Sequence, residues 1–117
     1  MTRNPSPRSR RIWLAIGTLA CIAAGGYPPA SSADPDQAVH IDNFTFNPGQ
    51  LVVRIGTTVV WTNRDDIPHT VASAEGDQLR SAPLDTGDRF AFTFTKAGTF
   101  RYFCSIHPKM QGTIVVR

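Results

Sequence analysis

From Asp34 to the C-terminus, apolar and polar residues exchange places at every second position. Phe90, Phe92 and Phe94 share one parity, with Ala91, Thr93 and Thr95 on the other. Leu51, Val53 and Ile55 alternate with Val52 and Arg54. Phe100, Tyr102 and Cys104 form another such set, as do Ile114 and Val116. A period of two puts each set on one face of a β-strand. No stretch of useful length repeats at the three-and-four spacing that a helix requires. Strands are expected over roughly 38–46, 50–55, 57–62, 69–74, 89–95, 99–104 and 112–117. Asn47-Pro48-Gly49 marks a turn, and Gly56, Gly87 and Gly98 fall where further turns are needed. Residues 75–88 are polar and read as a connecting loop. The expectation is an all-β domain, a small antiparallel sandwich or barrel.

Length and charge narrow the function classes. The chain has 117 residues, enough for one domain and too few for a multidomain enzyme. Its formal charge of +3 is misleading. Arg3, Arg8, Arg10 and Arg11 are the only charged residues before Asp34, whereas eight basic and nine acidic residues follow. The domain itself is therefore nearly neutral, and a basic surface for nucleic acid or membranes is not expected. Two Cys cannot build a disulfide scaffold.

Residues 1–33 have the order of an export signal: an Arg-rich start, an apolar run over 12–24, and small residues up to Ala33. The apolar run is shorter than the ~20 residues that cross a bilayer comfortably. Ser31 and Ala33 suit cleavage after Ala33, which leaves a domain of residues 34–117. Arg10-Arg11-Ile12-Trp13-Leu14 also fits a twin-arginine signal, although any Arg-rich leader can place two Arg together. Thr18 stands where a lipidation signal on Cys21 would want Leu. Cleavage would remove Cys21 and leave Cys104 as a lone thiol in an exported protein, which favours a ligand role over a buried structural one.

The chemistry gathers in Cys104-Ser105-Ile106-His107-Pro108-Lys109-Met110. A thiolate, an imidazole and a thioether follow one another at C-x-x-H-x-x-M spacing between two expected strands. One short loop can thus bring all three to a single ion. His69, after Pro68 in an expected turn, supplies a fourth donor. Two imidazoles, a thiolate and a weak axial thioether are the donor set of a blue-copper site. Structural zinc takes Cys and His, and Met is a poor ligand for it.

Residues 38–117 resemble the cupredoxins, especially the amicyanin-like branch of the plastocyanin and azurin family. The matching stretches are Val39–Pro48, Gly56–His69 and Gly98–Val116. The resemblance implies a cupredoxin-like Greek-key β-sandwich of about seven to eight strands. It implies one type 1 copper ion held by His69, Cys104, His107 and Met110, and one-electron transfer in the periplasm. It also implies an exposed His107 edge as the electron port, ringed by Ile106, Pro108 and Pro68 for brief docking of redox partner proteins. Related chains often carry Asn after the first His, where this one has Thr70. They usually carry Pro before the loop His and an aromatic before the Met, where this one has Ile106 and Lys109.

Other residues have plainer readings. His40 on the first strand is expected to face solvent, and Asp65-Asp66 to form a solvated turn. Phe103 could meet a partner or simply pack under a loop, and Lys109 could steer an acidic partner or merely be solvated. A Cys–His nucleophile pair would leave His69 and Met110 without a role, so the chain is not read as an enzyme. A copper-delivery protein is the rival, but such a protein would be expected to carry more exposed Met or His, and this chain has two Met and three His in all. The expected product is a soluble, monomeric electron carrier with no nucleic-acid partner.

Overall fold

A computed structural model of the protein describes residues 34–117; the expected export segment, with Cys21, lies outside them. Eight strands follow in chain order: β1 Gln37–Asp42, β2 Thr45–Asn47, β3 Gln50–Val53, β4 Thr58–Asn63, β5 Ala72–Ser73, β6 Arg89–Thr93, β7 Gly98–Phe103 and β8 Gln111–Val116. They form two four-stranded sheets, ordered β2-β1-β4-β6 and β3-β8-β7-β5. The described residues hold no helix, so the all-β expectation stands.

The pairing departs from the antiparallel expectation. Neighbours in sequence do pair antiparallel, as in β1 with β2 and β7 with β8. However, β1 runs parallel to β4 and β3 runs parallel to β8. The chain leaves the first sheet for β3 and returns as β4 beside β1, so two mixed sheets result. Alternation of residue type specifies which face of a strand is buried and says nothing about which strand lies beside it.

Two expected strands are also broken. The 38–46 segment divides at Asn43 and Phe44, whose φ angles are 49° and 55°. Left-handed backbone is uncommon for Asn and rarer still for a bulky aromatic. The 69–74 segment keeps only Ala72–Ser73 as a strand, while His69 makes a single bridge to Leu84. Both breaks lie beside the metal-site residues described below.

Between the sheets, the inward parities meet in an aromatic core. Trp61 on β4 and Phe46 on β2 both contact the Tyr102 ring on β7, at centroid separations of 5.4 and 4.7 Å. All three side chains are buried, and each such burial stabilises the fold by roughly 1.5–3 kcal/mol. Tyr102 pairs in register with Gly112 on β8. A Cβ on Gly112 would lie about 2.3 Å from the Tyr102 ring, so the glycine is what lets the ring lie flat across β8.

Candidate metal centre

The seven-residue loop from Cys104 to Met110 joins β7 to β8. Its ends are held together by the Phe103–Gln111 pair and by the Cys104 N–H donating to the Met110 carbonyl at 3.0 Å. Inside the loop, the Met110 N–H donates to the His107 carbonyl at 2.8 Å. Cys104 and Met110 point inward and are buried, while His107 is half-buried between the site and solvent.

His69 arrives from the other sheet, on the loop that follows β4. Asn63, the fully buried last residue of β4, shapes that loop. Its side-chain amide donates to the carbonyls of Ile67 (2.8 Å) and Leu84 (2.7 Å), and its oxygen accepts the Asp65 N–H at 2.9 Å. Truncation to Asn63→Ala leaves the half-buried Ile67 carbonyl without this donor. We expect it to cost about 2 kcal/mol of stability. Urea unfolding of the metal-free protein at unchanged slope would measure this.

The His69 ring is fully buried and turned by a carboxylate. Its Nε2 donates to Asp65 Oδ2 at 2.7 Å. A carboxylate only accepts, so the proton sits on Nε2 and Nδ1 presents its lone pair. Asp65 is thus not the solvated turn residue expected, because its side chain is only 11% exposed. Burial acts to raise its pKa, but the Phe44 amide, the His69 ring and the Asn43 amide outweigh it and hold the carboxyl below its usual 3.8. Asp66 is exposed, as expected. His40 is a second correction, since it is half-buried on β1 and its Nδ1 lacks a hydrogen-bond partner among the described residues.

The donor atoms converge. Cys104 Sγ lies 3.8 Å from His69 Nδ1 and 3.7 Å from His107 Nδ1. An ion bonded in a trigonal plane at about 2.3 Å to sulfur and about 2.0 Å to nitrogen separates those atoms by about 3.7 Å. The sulfur therefore already stands from each ring nitrogen as a shared ion would hold it, and all three donor atoms lie within 4.8 Å of one another. They form a metal-competent group among the described residues, and with Met110 they have the arrangement of a type 1 copper site. Burial tends to raise the Cys104 thiol pKa. The Thr70 amide and the two imidazoles outweigh that effect and bring it from 9.0 to about 6. At neutral pH the sulfur is mostly thiolate, the form that binds metal.

Thr70, where related chains often carry Asn, bonds to the other ligand loop. Its N–H donates to Cys104 Sγ at 3.3 Å, and its hydroxyl accepts the Ser105 N–H at 2.7 Å. The Thr70 and Ser105 hydroxyls also meet at 2.7 Å. One residue thereby ties the two ligand loops together without an Asn side chain. Phe44, which falls within the expected 38–46 strand, stands at the surface beside the site, half exposed. With Ile106, His107, Pro108, Lys109 and Met110 it lines one surface depression. Pro68 is exposed but does not line it.

The chain matches the Cupredoxin-like domain family over residues 12–116. This chain is a cupredoxin. It is 35% identical to amicyanin from Paracoccus denitrificans over 77% of its own length and 72% of that protein. It is 30% identical to plastocyanin from Scenedesmus fuscus over 62% of its length and 86% of that protein. Among solved structures, a purple cupredoxin from Nitrosopumilus maritimus superposes with a TM-score of 0.65 at 35% identity, covering 70% of this chain and all of that one. The cupredoxin membership and the two-sheet sandwich agree with the expectation drawn from the loop motif.

Proposed function

We propose that this cupredoxin binds one copper ion through His69, Cys104, His107 and Met110 and carries single electrons between redox partner proteins. The observation that carries the reading is the pair of 3.7–3.8 Å separations between one buried thiolate and two ring nitrogens. When bound, copper supplies the one-electron couple. The chain supplies everything else. Cys104 offers an ionised sulfur, and Asp65 orients His69 so that Nδ1 faces it. Thr70 and the closed Cys104–Met110 loop hold the donors at fixed distances, which limits rearrangement between the two oxidation states. His107, at the boundary with solvent, is the port through which electrons enter and leave. The apolar surface of Phe44, Ile106 and Pro108 around it suits short-lived docking.

Burial argues against the delivery reading. His69 and Cys104 are fully buried and Met110 nearly so, leaving no exposed sulfur among the described residues to which a recipient could exchange metal. A carrier releases copper slowly to a chelator while exchanging electrons quickly with itself.

Visible absorption and electron paramagnetic resonance of the protein after addition of Cu(II) test the assignment. An intense blue thiolate band with narrow copper hyperfine splitting is expected. A colourless protein, or an ordinary tetragonal Cu(II) signal, would overturn it. Met110→Leu tests the thioether donor: the blue band survives and the reduction potential rises. A tenfold loss in preference for Cu(II) over Cu(I) corresponds to about 59 mV. Voltammetry reads it directly, and an unchanged potential would remove Met110 from the ligand set.

We further infer that residues 1–33 direct export to the periplasm, where the 34–117 domain works as a soluble monomer. The Arg-rich start, the apolar 12–24 run and the small residues at 31 and 33 support this. The N-terminal sequence of the protein recovered from a periplasmic extract should begin at Asp34.

A further inference from the structure

The Asp65 carboxylate accepts three N–H groups at once. Oδ1 takes the Asn43 amide at 2.6 Å, and Oδ2 takes both the Phe44 amide at 2.9 Å and His69 Nε2 at 2.7 Å. The first two donors come from the β1–β2 turn, more than twenty residues upstream of Asp65. That turn has left-handed backbone at two consecutive non-glycine residues. Successive amides in such a turn form a concave anion site, and here the anion is the protein's own side chain. The turn presents Phe44 to the site. Its ring stands nearly perpendicular to both imidazoles, with centroids 5.5 Å from His69 and 5.1 Å from His107. The imidazoles themselves are 5.0 Å apart. Phe44 thus spans the gap between the two ring donors, one side against them and half its surface in solvent.

We propose that Asp65 is a positioning residue, a single carboxylate that closes the Asn43–Phe44 turn and fixes the His69 ring, so that Phe44 covers both imidazoles and keeps water off the metal centre. The proposal rests on the reading of His69 and His107 as copper ligands. No other carboxylate bonds to these amides, and a strand continuing straight through residues 43 and 44 would carry Phe44 away from the imidazoles.

The test uses the full chain with Asp65→Asn and Phe44→Ala, metal-free and copper-loaded. A carboxamide offers one acceptor oxygen where three donors converge. In metal-free Asp65→Asn, amide exchange at Asn43 and Phe44 should be at least tenfold faster than in the wild type, with Val59 and Ile114 in the sheets unchanged. Copper-loaded, the same variant should bind Cu(II) 10–100-fold more weakly, because an outer partner that orients a ligand imidazole and raises its basicity is weakened. Its reduction potential should rise with the lost preference for Cu(II), at about 59 mV per tenfold. Phe44→Ala should keep the His69–Asp65 bond but raise the relaxation rate of water protons by the Cu(II) form. Unchanged exchange at Asn43 and Phe44 would overturn the turn-closing role, as would equal loss of protection at Val59 and Ile114, which would indicate general loosening. Unchanged water relaxation in Phe44→Ala would overturn the cover. If the wild type took up no copper, the function reading would fall by itself, while metal-free exchange would still decide the tie between Asp65 and the turn.

Discussion

Cys104→Ser is expected to abolish the blue absorption band altogether. A hydroxyl at this position has neither the charge nor the soft, polarisable electrons of the thiolate, whose pKa of about 6 keeps it ionised at neutral pH. The remaining imidazoles can still hold Cu(II), so a weak, tetragonal signal replaces the narrow one. Affinity should fall by more than the roughly 100-fold that loss of an outer-shell partner produces, because a direct donor is gone. Stability should follow. A ligand that binds only the folded state at a hundred times its dissociation constant adds about 2.7 kcal/mol. The melting temperature of the wild type should therefore rise on copper addition and that of Cys104→Ser should barely move. A variant that keeps its blue band would show that another group supplies the thiolate's place. The serine is nearly isosteric and its neighbours Thr70 and Ser105 are polar, so the metal-free variant should fold.

Gly112→Ala is expected to have the second-largest effect, on folding and not on metal chemistry. The new Cβ would lie about 2.3 Å from Tyr102 Cζ and its hydroxyl. The ring cannot swing aside, because Trp61 and Phe46 pack on it and it is buried. Either β8 shifts or the ring leaves its rotamer, at a cost of about 3 kcal/mol. In a domain with a total stability of ~5–15 kcal/mol that is a large fraction. Urea unfolding measures it. Shortening the ring with Tyr102→Leu in the same background should recover part of the loss, since the two residues share one contact. Strict additivity of the two substitutions would show that the clash is not what destabilises the variant.

Much of the site was legible in the sequence because chemistry and spacing coincide there. Cys104, His107 and Met110 fall within seven residues, and a loop that short has few ways to arrange three donors. His69 was legible through Pro68 and the adjoining turn. Strand faces were legible in part: Val53, Phe94, Tyr102, Cys104, Ile114 and Val116 are buried as their alternation requires, whereas Ile55, of the same parity as Val53, is exposed where its strand has already ended. What escaped notice depends on contacts between distant segments. Asp65 reads as one of two turn carboxylates until the Asn43 and Phe44 amides are seen to close on it. Phe44 falls inside the expected 38–46 strand, and nothing in that stretch marks the left-handed φ that breaks the strand there. Asn63 looks like an ordinary strand end, although its amide shapes the loop that carries His69. Parallel pairing of β1 with β4 and of β3 with β8 leaves no mark in either strand alone. Thr70 shows the converse, a departure from the usual residue that still joins the two ligand loops.

Three of the four proposed donors and most of the depression beside them occupy one hairpin loop whose ends are clamped by paired strands. Such a loop is a cassette. A handful of codons can rewrite it without disturbing the sheets beneath, so the domain can be inherited intact while its redox character drifts. The same compactness denies selection independent control. Where the loop meets a partner as proposed, a change at Ile106 or Lys109 would alter recognition and the surroundings of His107 together, so partner choice and driving force would change as a single trait.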